Sequence, residues 1–168
     1  MTTNPPHKEL PNTYFVQDRT NETELARLQV LDQILTNGMG GVLPEQPDPT
    51  RFRRVLDVGC GTGGWLIAAA KQYPTMTQLI GVDASKSMIK YARAQAAAQQ
   101  VSDRVEFHVM DALLMLEFLN GYFDLVNHRA ATSWLRTWDW PKLLGEYRRV
   151  CKRGGVIRIT EADCDPFN

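Results

Sequence analysis

Only three of the 168 residues are cysteine, and only three are histidine. Cys60, Cys151 and Cys164 form no Cys-x-x-Cys pair, and an odd number of thiols builds no complete disulfide framework. A reduced, cytoplasmic protein is the expectation. No spacing of His, Cys and carboxylates suggests a metal site. An excess of charge is missing too, since nineteen basic residues offset nineteen acidic ones. No overall field draws the chain toward nucleic acid or a membrane surface. No apolar run approaches the roughly 18 residues of a membrane span. The first residues, MTTNPPHKELPNTYF, lack the basic-then-apolar order of a signal peptide. There is no internal repeat and no low-complexity tract. What remains is a globular composition, 43% hydrophobic and 23% charged, at a length that suits one domain.

The chain divides near residue 50. Residues 1–50 read as an N-terminal extension, with a helix over about 21–37 and a Pro/Gly linker, GMGGVLPEQPDPT, over 38–50. Asn21 with Glu24 suits a capping pair, Leu25, Leu28, Leu31 and Leu35 share one helix face, and Gly38 supplies the stop. Residues 51–168 read as the core, in which strands and helices alternate. Strands are expected over 53–59, 77–83, 104–111, 122–128 and 155–162. Helices are expected over 63–73, 86–99 and 140–151, with a short one at about 112–119. Ser85 is placed to cap the second of these and Pro141 to begin the third. Five strands separated by helices imply an α/β fold with a doubly wound, mainly parallel sheet, in which ligands bind beyond the carboxyl ends of the strands.

The stretch VLDVGCGTGGW, residues 55–65, carries two overlapping glycine patterns. Gly59-x-Gly61-x-x-Gly64 fits the dinucleotide fingerprint, and Asp57-x-Gly59-x-Gly61-x-Gly63 fits a different nucleotide-binding signature. In both, glycines let the backbone turn tightly from strand to helix and approach a ligand closely. The acids separate the two readings. Asp57, Asp83 and Asp111 end the first three strands. A dinucleotide lays an anionic pyrophosphate against such a loop, and a carboxylate two residues before its first glycine opposes that charge. S-adenosylmethionine has no phosphate and carries a cationic sulfonium and ammonium, which a carboxylate attracts. Asp83 does not discriminate, because both cofactors offer ribose hydroxyls. Asp111, followed by Ala112, suits an adenine amino group. Each acid also has a plain structural reading: Asp57 can bond loop N–H groups, and Asp111 can cap the next helix.

Five segments, VLDVGCGTGGW, IGVDASKSMIKYAR, VEFHVMDA, FDLVNHR and LLGEYRRVCKRGGVIRITE, together resemble the class I S-adenosylmethionine-dependent methyltransferases. The resemblance covers about residues 52–162 and implies a Rossmann-like sheet of strand order 3-2-1-4-5. It implies S-adenosyl-L-methionine as cofactor, with Gly59, Cys60, Gly61 and Gly63 forming the loop around its methionine part. Asp57 is implied near the ammonium, Asp83 on the ribose hydroxyls with Ala84 and Met88 beside it, and Asp111 with Ala112 at the adenine. Asn127 is implied near the methyl that is transferred.

Methyl transfer from a sulfonium is an in-line displacement, in which the protein chiefly positions the reactants. A proton-bearing acceptor also needs a base, and His128 is the candidate, at the end of the fourth strand. The other reading of His128 is a polar strand-end residue that moves no proton. His108, inside a strand, reads as structural. Tyr14, His128, Arg129 and Trp134 are the candidates for the acceptor pocket, with Arg129 suited to an anionic substrate. Trp134, Trp138 and Trp140 either line that pocket or pack the following helix onto the sheet. The basic cluster Arg148, Arg149, Lys152 and Arg153 lies at a helix C-terminus, where the helix dipole favours cations, so it does not argue for nucleic acid.

The sequence ends soon after the fifth strand, whereas the resembled family carries two more, so the core is expected to be C-terminally truncated. An apolar edge strand left open favours a homodimer through that strand. The expected function is methyl transfer to a small-molecule acceptor, without nucleic-acid or membrane partners. The alternatives are an NAD-binding oxidoreductase and a non-catalytic module that binds a cofactor or partner.

Overall fold

Val55, Leu56 and Val58 make the first strand an apolar run, and the computed structural model, which describes residues 22–131 and 134–161, buries it at the centre of a parallel sheet. This strand, β1 (Arg54–Val58), pairs with β2 (Gln78–Asp83) on one side and β4 (Phe123–Arg129) on the other. The outer strands are β3 (Val105–Val109) beside β2 and β5 (Cys151–Thr160) beside β4. The order is β3-β2-β1-β4-β5 and every pairing is parallel, as expected. A central strand covered on both faces must be apolar on both, which is why β1 and β4 read as runs rather than as alternations.

Helices cover the two faces. α2 (Gly64–Gln72) and α3 (Lys86–Ala98) close over Val55, Leu79, Phe107 and Leu125, and α4 (Trp140–Val150) closes over Leu56, Val126 and Phe123. Ser85 caps α3 through its Oγ, which accepts from the Met88 N–H. Pro141 lies in the first turn of α4.

Three expectations need correction. The short helix over 112–119 is absent: residues 112–114 form a turn, and the rest is irregular. Its backbone groups find side-chain partners on α4 instead. Glu146 accepts from Leu116 N–H at 2.8 Å, and Arg149 donates to the carbonyls of Leu116 and Phe118 at 2.5 and 2.7 Å. With those groups satisfied from outside, a local helix is not required. Secondly, the last strand begins at Cys151, directly after α4, and its register jumps between Phe123↔Cys151 and Leu125↔Val156. Gly154, at φ 75°, lies within this irregular stretch.

Thirdly, the first helix, α1 (Glu22–Gly38), does not dock by its leucines. Leu25 is buried, but Leu31 and Leu35 are each 43% exposed. The docked stripe is Leu25, Gln29, Asp32 and Thr36, at helical spacing and largely polar. Gln29 accepts from the Tyr91 hydroxyl at 2.8 Å and donates to Gln95 at 3.3 Å. Asp32 pairs with Arg129, which also donates to Thr36 Oγ1 at 3.1 Å. Polar side chains of α3 and the end of β4 select that face over the apolar one. No helix among the described residues is long and apolar enough to cross a membrane.

Candidate functional site

The carboxyl edge of the sheet collects the candidate residues. Between β1 and α2 the chain turns through Gly59, Gly61 and Gly63, at φ 68°, 52° and 77°. A side chain would be strained at each, and at Gly63 it would also meet Phe107 Cζ at 2.5 Å and Ala92 Cβ at 2.9 Å. The loop is held by Cys60 N–H donating to the Val82 carbonyl at 3.0 Å and Gly63 N–H donating to the Cys60 carbonyl at 2.9 Å. The Cys60 thiol packs against the apolar cluster under α2 and α3. Burial, then the charges of Asp57 and Asp83, push its pKa well up, so it is a space-filling thiol and no thiolate.

Asp83, at the end of β2, reaches across to this loop. One carboxylate oxygen accepts from Gly61 N–H at 3.0 Å, and the other accepts from Ser85 N–H at 2.8 Å. It therefore ties the glycine loop to the start of α3, beside whatever ligand role it has. Ala84 is exposed next to it, and Met88 is buried in the first turn of α3. β3 closes the same corner, since Met110 N–H donates to the Asp83 carbonyl at 3.0 Å. Asp111 follows, exposed, with its Oδ1 accepting from Leu113 N–H at 2.9 Å, while Ala112 is buried. Asp83 and Asp111 thus flank one open corner beside the loop.

Asp57 is placed differently. It is buried, and Asn127 donates to its Oδ1 at 2.7 Å from the paired position on β4. Asn127 Oδ1 in turn accepts from Arg158 at 3.0 Å, and Arg158 donates to Glu45 at 2.9 Å. This chain crosses three strands on the face that α2 covers. Burial pushes the Asp57 pKa from 3.8 to about 7, against the pull of Arg129, the Asn127 hydrogen bond and Arg158. Asp32, Glu45 and Arg158 were not singled out in the sequence. They lie on α1, the linker and β5, and only the register Asn127↔Arg158 brings the last into line.

His128 leaves the other face of β4 and is wholly buried. Its ring lies between Trp134, Trp140 and Tyr147, with ring centroids 5.5, 6.1 and 5.6 Å away. The Tyr147 hydroxyl is hydrogen-bonded to its Nδ1, and Nε2 has no partner among the described residues. A Cβ added to Gly59 would lie 3.5 Å from Trp134 and 3.8 Å from His128 Nε2, so the glycine loop, Trp134 and His128 meet at one point. Burial lowers the His128 pKa from 6.5 to about 4, with Glu161 opposing. Arg129, the next residue, points to the opposite face, over the Trp65 ring at 5.8 Å and paired with Asp32. His128 and Arg129 therefore do not form one wall. Immediately beyond, Ala130 adopts φ 56°, a conformation that costs a non-glycine residue energy.

Of the other tryptophans, Trp140 packs against the α4 cluster and Trp138 is 72% exposed. In the basic cluster, Arg149 is engaged by Glu146 and Lys152 by Asp124 at 2.5 Å. His108 is part-exposed and contacts Glu106. Tyr14 lies outside the described residues. Among the described residues no group of His, Cys, Asp and Glu is arranged to hold a metal ion.

Comparison with known proteins places this geometry. A family model described as a methyltransferase domain matches residues 55–155. The chain is 38% identical over 116 residues to the ajmaline N-methyltransferase of Rauvolfia serpentina, covering 69% of this chain and 38% of that protein. It is 44% identical over 107 residues to the demethylmenaquinone methyltransferase of Lactiplantibacillus plantarum, covering 64% and 44%. An O-methyltransferase family protein from Burkholderia thailandensis superposes with a TM-score of 0.70 over 84% of this chain and 42% of that one; at 22% identity this is a likeness of fold. The chain spans about two fifths of the length of the curated relatives it matches.

Proposed function

This chain belongs to the class I S-adenosylmethionine-dependent methyltransferase family, and from that premise we propose that it transfers a methyl group from S-adenosylmethionine to a small-molecule acceptor. The observation that carries the reading is the set of acids at the carboxyl edge. Asp57 lies beneath the glycine loop, and Asp83 and Asp111 flank its open corner. Asp83 and Asp111 fit ribose and adenine groups, and Asp57, once ionised above about pH 7, fits an ammonium and opposes a pyrophosphate. The glycine cradle fits it too, because a side chain at Gly59 would fill the space beside Trp134 and His128.

Each residue then has a task. The backbone of Gly59, Cys60, Gly61 and Gly63 wraps the methionine portion. Asp83 accepts from the ribose hydroxyls while holding Gly61 and Ser85. Asp111 and Ala112 hold the adenine, with Ala84 and Met88 beside it. Asp57 and Asn127 act at the ammonium end. The bound cofactor supplies an electrophilic methyl on sulfur, so the protein's contribution is alignment and exclusion of water. His128 and Trp134 bound the acceptor side. Arg129 acts from the α1 side, and we assign it to holding that helix down before any role with substrate. We place the protein in the cytoplasm, and we propose that the edge of β5 that no described strand covers, where Ile157 and Ile159 are 39% and 38% exposed, pairs with a second copy.

Ultraviolet cross-linking of radiolabelled S-adenosylmethionine to the chain tests this reading. Labelling that S-adenosylhomocysteine competes away and NADH does not is the expected result. Labelling displaced by NADH points to the oxidoreductase alternative.

A further inference from the structure

Tyr147 and His128 form a closed pair in the core, each with no exposed surface. A buried phenol must place its hydrogen on an acceptor or lose a hydrogen bond outright. The acceptor available to Tyr147 is His128 Nδ1. Burial raises the phenol's pKa above its ordinary value, so the oxygen keeps its hydrogen and donates it. Nδ1 then contributes its lone pair, and the ring's own hydrogen must sit on Nε2. That N–H has no partner among the described residues. An unmet buried donor is costly, and this one lies beside Gly59, which Trp134 also borders.

We propose that Tyr147 is a positioning residue that fixes the Nε2–H form of His128, and that His128 thereby offers a hydrogen-bond donor beside the glycine loop to an oxygen of the methyl acceptor. This deepens the methyltransferase reading and rests on it. The acceptor class that follows carries a carboxylate or phenolate oxygen. Such an oxygen needs no proton removed, and the contact is a hydrogen bond with no proton transfer. A base role for His128 would require a bare Nε2, which the Tyr147 hydrogen bond denies. The Trp134 ring beside the imidazole suits a planar, apolar body behind that oxygen. The groups that face the imidazole are the Tyr147 hydroxyl from α4, Trp134 and Trp140, the Gly59 backbone, and the Glu161 charge from beyond β5. None of these removes the Nε2 hydrogen near neutral pH.

Imidazole nitrogen NMR of the full chain, labelled with 15N-histidine, tests the tautomer without any assay of activity. With only three histidines, the His128 signals are assigned by their loss in His128→Asn. The wild type is expected to show a hydrogen on Nε2 and none on Nδ1. In Tyr147→Phe, which keeps the ring packing, that single form is expected to be lost to a mixture of tautomers. A wild-type His128 protonated at Nδ1, or a tautomer unmoved in Tyr147→Phe, overturns the proposal. The acceptor class is tested with methyl-labelled S-adenosylmethionine and two pools of small molecules, carboxylic acids and phenols in one and amines in the other. Label in the first pool supports it, and label confined to the amines overturns it. Failure of the chain to bind S-adenosylhomocysteine would instead count against the methyltransferase reading, leaving the tautomer result to stand.

Discussion

Asp57 and His128 lie on neighbouring strands, and burial shifts their titrations in opposite senses. Asp57 rises from 3.8 to about 7, so the folded state holds this proton more tightly than the unfolded chain. The stability it contributes is present below about pH 4 and is lost as the pH climbs through 7. His128 falls from 6.5 to about 4, so its contribution is present above about pH 6.5 and is lost as the pH drops toward 4. Between these limits the two slopes oppose each other. Asp57→Asn removes one of them and keeps a hydrogen-bonding side chain for Asn127. Its melting temperature is expected to exceed the wild type's at pH 8. On acidification from pH 6.5 to 4 it is expected to fall more steeply than the wild type's. Thermal melts across pH 4–8 check both, and parallel curves for the two proteins would show that Asp57 is not held protonated. The sequence showed Asp57 as an acid ending a strand. It did not show the acid buried and bonded to Asn127, because that depends on which strand lies beside β1.

At the scale of elements, the glycine loop is a tight joint and α1 a looser one. Gly63 needs its left-handed backbone and has Phe107 and Ala92 against it. Gly63→Ala is expected to destabilise the chain by roughly 2–4 kcal/mol, strain and overlap together, measured by urea unfolding. A loss below about 1 kcal/mol would mean that Phe107 yields easily. α1 is joined to the core by Arg129 with Asp32 and Thr36, and by Gln29 with Tyr91 and Gln95. Arg129→Met keeps the apolar stem over Trp65 and removes the pair. Amide exchange in α1 is expected to speed up by about tenfold or more while exchange in β1 and β4 holds steady, since local opening is governed by local contacts. Unchanged exchange in α1 would assign the docking to Gln29 and Leu25 instead. The helix itself was legible from its leucine spacing and from Gly38. The face it docks was not, because an apolar stripe predicts the buried side only where the surface opposite is apolar. Residues 112–119 misled for a related reason: their partners, Glu146 and Arg149, come from a distant helix.

For the whole molecule, the alternation of strands and helices was enough to read a parallel sheet with right-handed crossovers, and its strand order came from the family resemblance. The three acids and the glycine loop were legible as a ligand edge for the same reason. The chain from Glu45 through Arg158 and Asn127 to Asp57, and the pair of Tyr147 with His128, were not. They join residues 19 to 113 positions apart, and nothing local in the sequence marks them. The central claim, that this edge takes S-adenosylmethionine, meets its most direct test in calorimetric titration. Wild type and Asp83→Ala are each titrated with S-adenosylhomocysteine and with NADH. The account predicts that wild type binds S-adenosylhomocysteine and not NADH, and that Asp83→Ala weakens binding at least about tenfold, as loss of hydrogen bonds to a charged group does. Binding of NADH alone, or S-adenosylhomocysteine affinity unchanged in Asp83→Ala, would contradict it.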